Sequence, residues 1–244
     1  MGPSCPAELA LVPVSLSESE GELLKFTLIA LGGLVFVGLL VLLSIQLERL
    51  RSEGLQKIAR RLDMRFTADV DSSAVDRFTG MHLFSRGHSR RIKNVMQGKS
   101  EADEVSIFDY RYRTGGGKNS RTVQQTVVAL RSASLDLPKF ELRPEGFLHR
   151  IGDALGFKDI DFDSHPEFSK AFFLRGASER HVRELFDDAL LDFFAGRENI
   201  CVEGWNDQLV FYRHHSRRAK PEEIEQLLEA AYEVFQPFRE RARA

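Results

Sequence analysis

Cysteine is almost absent: Cys5 and Cys201 are the only two in 244 residues. No disulfide framework or Cys-based zinc ribbon can therefore carry the fold. Lysine and arginine are missing from the first 24 residues, which carry Glu8, Glu18, Glu20 and Glu22. A cleaved signal peptide opens with a basic region, so this N-terminus does not read as one. Tryptophan occurs once, as Trp205.

Catalytic signatures are also missing. There is no HExxH, CxxC or GxSxG, which removes the common zinc-hydrolase, dithiol and serine-hydrolase readings. None of the seven histidines pairs with another at i,i+4. Asp159, Asp161 and Asp163 alternate as in a calcium loop, but the required Gly and the twelfth-position Glu are missing. Gly115-Gly116-Gly117-Lys118 has Tyr112 where a phosphate loop needs its first glycine and Asn119 where it needs Ser or Thr. No metal or cofactor is expected. No nucleic-acid-binding motif occurs either.

Charge is absent from one stretch altogether. Phe26–Leu47 is twenty-two residues without Asp, Glu, Lys or Arg. As a helix it is long enough for a hydrocarbon core about 30 Å thick, and it is apolar on all sides, unlike a surface helix. Lys25 is the single basic residue before it, whereas Arg49, Arg51, Lys57, Arg60, Arg61 and Arg65 follow it. Basic residues near a span remain in the cytoplasm. The expected topology is a single pass through the cell (inner) membrane, with the N-terminus outside and the C-terminal domain cytoplasmic. Cys5 and Cys201 would then lie on opposite sides, and Cys201, within Ile200-Cys201-Val202, reads as a small buried hydrophobe.

The rest of the chain reads as α+β, with a mostly antiparallel sheet packed against amphipathic helices. Residues 1–25 are expected as a disordered tail, 26–47 as the transmembrane helix and 48–64 as a juxtamembrane helix. Residues 65–244 form the domain, with possible sub-lobes 65–143 and 144–244. Phe108, Tyr110 and Tyr112 alternate with Ile107, Asp109 and Arg111, the period of a strand. With 121–131 this predicts a hairpin across the glycine-rich turn. Further strands are expected near 81–85, 91–97, 139–142 and 170–175, and as a hairpin over 199–203 and 208–213. Helices are expected over 144–155, from Ser178 through Phe194, and from Pro221 onward.

The segments Phe157–Phe162, Pro166–Phe172, Glu179–Phe194 and Val202–Tyr212 resemble the C-terminal part of a bacterial family of membrane-anchored proteins of unknown function. That resemblance implies an apolar span followed by a cytoplasmic α+β domain and carries over no functional residue.

Net charge is −2, but it divides along the chain. Arg49–Arg131 holds 17 Lys and Arg against 9 Asp and Glu, and Ser132–Ala244 holds 16 against 22. The basic half follows the span, where anionic leaflets attract cations. Arg86, Arg90, Arg91, Lys93, Arg111 and Trp205 are the candidate contacts for anionic lipid headgroups or a protein partner. The alternative is a membrane-tethered enzyme using Asp109, Arg111, His88 and Lys118, for which only their polarity argues.

Overall fold

The computed structural model describes residues 18–100, 102–145, 159–214 and 217–242. The chain divides into two compact units, Met1–Leu50 and Arg51–Ala244. In the first, helix α1 (Glu18–Arg61) begins. Its segment from Gly21 onward is long and apolar enough to cross a membrane, and its most apolar window is not buried at all. The exposed residues there run from Leu23 to Leu50. Exposure of so much apolar surface to water is unfavourable, as expected of a membrane span.

The second unit is built on one antiparallel sheet. Its strands are β1 (Arg65–Asp69), β2 (His88–Lys99), β3 (Asp103–Thr114), β4 (Arg121–Ser132), β5 (Leu137–Pro144), β6 (Phe172–Gly176), β7 (Ile200–Asn206) and β8 (Gln208–Arg213). Their order is β1-β2-β3-β4-β8-β7-β5-β6. The C-terminal hairpin β7–β8 thus lies between β4 and β5, and a single sheet runs through both expected sub-lobes. The last turns of α1 belong to this unit, because Leu55 and Ala59 are buried in its core.

Each strand of the sheet centre is buried on both faces. On one face, Ile107, Val128, Leu142, Val202 and Phe211 meet the helices. These are α3 (Pro166–Ala171), α4 (Glu179–Leu185), α5 (Asp188–Ala195) and α6 (Ile224–Arg241). Phe186 sits among Phe140, Phe168, Phe194 and Phe238, all within ring-contact distance. On the other face, Phe108, Tyr110, Val127, Val210 and Tyr212 are covered by Val75, Met81, Leu83 and Phe84 from segment 72–85.

Several expectations change. The strand expected near 81–85 is the short helix α2 (His82–Ser85). The chain turns here instead of running extended: the Arg86 amide donates back to the Leu83 carbonyl, and Leu83 and Phe84 are both buried in the core on the side of the sheet opposite the helices. The strand expected over 170–175 starts only at Phe172, because Pro166 opens helix α3 before it. The helix expected from Ser178 through Phe194 breaks at Phe186-Asp187, where the Asp187 carboxylate accepts from the Leu190 amide and starts α5. β1 lies where no strand was expected. The helix expected over 144–155 falls, beyond Pro144 and Glu145, outside the described residues.

Candidate functional site

The candidate contact residues divide among four places. Arg90, Arg91 and Arg111 are exposed at one end of the β2–β3–β4 meander. In the register of this end, Arg91 lies directly opposite Arg111, and His88 opposite Arg113. Arg121 follows on β4 opposite Thr114, and Lys118 sits in the connecting turn at Gly117–Asn119. Arg91, Arg111, Arg113, Lys118 and Arg121 have no acidic partner among the described residues. Arg90 donates to the carbonyl oxygen of Phe84. Like charges placed directly opposite on a sheet repel, so this end is a cationic patch with no internal compensation.

Lys93 lies further along β2 and pairs with Asp69, Nζ to Oδ1 2.9 Å. Arg86 is buried, its guanidinium 6.0 Å from the Tyr112 ring centroid. Trp205 lies at the opposite end of the sheet, where β7 pairs it with Gln208. It is 37% exposed. An added Cβ on Gly80 would come within 2.9 Å of its indole Nε1. The six residues therefore form no single surface.

The four polar residues of the enzyme alternative are not gathered into one pocket. Asp109 faces the helices and is held by Arg51, Asn94 and Thr126. Asn94 reaches it because the register shifts between Lys93 and Met96 and Asn94 adopts a positive φ of 51°. His88 Nε2 lies 3.3 Å from the Gly115 carbonyl oxygen, while Arg111 and Lys118 are exposed.

A buried ionic cluster, which the sequence did not suggest, lies under α2. Glu141 on β5 and Glu203 on β7 are paired in register and are 3% and 1% exposed. The Leu83 amide donates to both oxygens of Glu203, at 3.0 and 3.1 Å, and the Tyr212 hydroxyl donates at 3.0 Å. Arg175 Nε donates to Glu141 at 2.6 Å, and Arg143 Nη1 and His82 Nδ1 lie 3.4 and 3.2 Å from its other oxygen. Burial and the neighbouring Glu141 push Glu203 up to about 7. Burial also opposes ionisation of Glu141, yet His82, Arg143 and Arg175 outweigh it and lower it to about 2.

His82, Glu141 and Glu203 present ligand atoms within 4.8 Å of one another. The donors already aimed at both carboxylates argue against a metal there. Arg86, Arg143 and Arg175 are buried in the same region, and a divalent cation would add charge to a site rich in guanidinium groups. Beside the cluster is a small, largely apolar pocket of ≈ 250 Å³, reached past His82, Lys139 and Gly176. Cys201 is buried on β7. Burial raises its thiol well above the ordinary range, as for an inert structural cysteine.

A larger groove of ≈ 560 Å³ opens on the same side of the sheet. Val70, Ala74 and Phe78 form one wall, and Val95, Phe108 and Ala129 form its floor. Arg77, Gln97 and Arg131 stand at its polar rim.

No protein-family model matches the chain, and no curated protein does. Its fold is similar to the crystal structure of the mycobacterial trehalose monomycolate transport factor A, TtfA, with a TM-score of 0.55 and 11% sequence identity. The likeness covers 78% of this chain and 93% of that one. At this identity it shows a shared α+β fold.

Proposed function

We propose that the chain is a single-pass membrane protein whose Arg51–Ala244 domain lies in the cytoplasm and binds anionic lipid headgroups through its basic β2–β3–β4 end. The observation that carries this reading is the opposed pair Arg91 and Arg111, flanked by Arg113 and Arg121, with no carboxylate paired to them among the described residues. Anionic headgroups would relieve that repulsion. Arg51, the first residue of the domain, is fixed on Asp109, two positions from Arg111 on β3. The uncharged segment ends at Leu47, four residues before it in the chain. The protein of similar fold is a transport factor, a role that this reading accommodates.

Binding of the 51–244 fragment to vesicles with and without anionic lipid tests the reading. Each basic residue near an anionic surface contributes about 1 kcal/mol. Arg91→Ala with Arg111→Ala should therefore weaken binding by about 30-fold, and added salt should weaken it further. Equal binding to neutral vesicles overturns the reading. Orientation is tested separately, by a reporter active only in the cytoplasm fused after Ala244.

A further inference from the structure

The two edges of the sheet are treated differently. At the β6 edge, Leu174 is covered by the chain's own residues. Its carbonyl accepts from the Ile160 amide at 2.8 Å, and its amide donates to the Asp159 carboxylate at 3.0 Å. At the β1 edge, among the described residues, no backbone hydrogen bond from outside the sheet reaches 65–69. Four of its five residues are exposed. An uncovered edge is a template for another strand.

The sequence of this edge, Arg65-Phe66-Thr67-Ala68-Asp69, is complementary to its own reverse. Two copies run antiparallel about a twofold axis at Thr67 place Arg65 opposite Asp69 of the second copy, and Asp69 opposite its Arg65. Thr67 meets Thr67, and Phe66 meets Ala68. Alternation along the strand puts Arg65, Thr67 and Asp69 on one face, so two ion pairs flank a Thr–Thr pair, all favourable cross-strand combinations. The other face sets a large side chain against a small one at both symmetry-related positions. Phe66 is only partly buried against its own core, so its ring has surface left to cover Ala68. Asp69 already meets Lys93 at 2.9 Å but stays 77% exposed, with oxygen lone pairs left for a second cation.

We infer that β1 is a dimerisation edge: two copies of this chain join β1 to β1 and continue the sheet across a twofold axis. Such a contact is isologous and closes on itself, so it makes a dimer and not a fibre. A five-residue strand pair is small beside a standard interface. Anchoring both copies in one membrane would raise their effective concentration and offset the small area.

Cysteine crosslinking of the full chain in membranes tests this register. With Cys5 replaced by Ser, Thr67→Cys should give an oxidised dimer, since directly opposed residues have Cα atoms about 4.5–5.5 Å apart. Arg65→Cys should not link to itself, because the two copies of that position would be offset by four residues, about 13 Å along the strand. Arg65→Cys chains mixed with Asp69→Cys chains should link. Arg65→Asp and Asp69→Arg should each reduce the Thr67→Cys dimer several-fold, and combining them should restore it. No dimer from Thr67→Cys, equal dimer from Arg65→Cys, or failure of the double reversal to restore it would overturn the inference. A crosslinked product heavier than two chains would instead assign the edge to a different partner and also overturn it.

Discussion

Arg51 grips Asp109 with both arms of its guanidinium: Nε donates to Oδ2 at 2.8 Å and Nη2 to Oδ1 at 2.6 Å. Its remaining nitrogen, Nη1, donates to the Ala219 carbonyl at 2.8 Å. The Ala219 amide in turn donates to Thr126, which donates to Asp109. One side chain thus ties α1, the centre of the sheet and the approach to α6. Both partners are largely buried, and removing one leaves the other charged without its counter-ion. Arg51→Met should therefore destabilise the domain by about 3–5 kcal/mol, read from denaturant unfolding. Arg51→Lys keeps the charge but loses the fork and should fall between. A loss below about 1 kcal/mol would show that solvent already screens the pair.

Phe186 is the hinge between α4 and α5 and the centre of the aromatic cluster on the helical face. It is completely enclosed, so its truncation leaves a cavity that rigid strands cannot close. Phe186→Ala should cost about 3–5 kcal/mol. Phe193, a ring-contact partner of Phe194 in the same cluster, is only half-buried, and Phe193→Ala should cost clearly less. Similar losses at both positions would contradict the packing described.

Gly80 has φ +104°, and a Cβ there would meet the Trp205 indole at 2.9 Å. Gly80→Ala therefore adds both backbone strain and a clash. Since Trp205 is the only tryptophan, the displacement is directly visible. The variant should shift the emission maximum and lose about 1–3 kcal/mol of stability. Unchanged emission would mean that the 79–81 turn yields instead of the indole.

What could be read in the sequence follows from how local its cause is. The β3–β4 and β7–β8 hairpins carry period-two patterns and turn residues within a few positions. α6 carries a complete apolar stripe from Ile224 to Phe238. Helix α4–α5 read as one because its apolar face is continuous, and the capping role of Asp187 is visible only once the chain bends there. β1 was illegible because an edge strand with one inward side chain has no alternation of burial. The ionic cluster was illegible because Glu141, Arg143, Arg175 and Glu203 come from three strands and meet only through long-range register. Three arginines of the basic end, Arg90, Arg91 and Arg111, were evident as charges. Their direct opposition, and the addition of Arg113 and Arg121, required the sheet.

Glu203 and Glu141 make opposite contributions to stability as pH changes. The folded state holds a proton on Glu203 up to about pH 7, because burial and the adjacent Glu141 disfavour its charge. An unfolded glutamate releases that proton near pH 4.3. Between these values the folded state binds more protons, so the Glu203 contribution falls as pH rises from about 4.3 to about 7. Glu141 is held down to about 2 in the fold, so its contribution is present above pH 4.3 and is lost as pH falls toward 2. Glu203→Gln removes the first effect while preserving the shape of the side chain. Its amide still offers an oxygen to the Leu83 amide and the Tyr212 hydroxyl. The melting temperature of this variant relative to wild type should therefore improve steadily from pH 5 to pH 7.5. The gain should stop above pH 8, where Glu203 is ionised in both states of the wild type. A difference that does not change with pH would show that Glu203 is already ionised in the fold at pH 5. In that case the buried guanidinium groups around it would have to offset its burial.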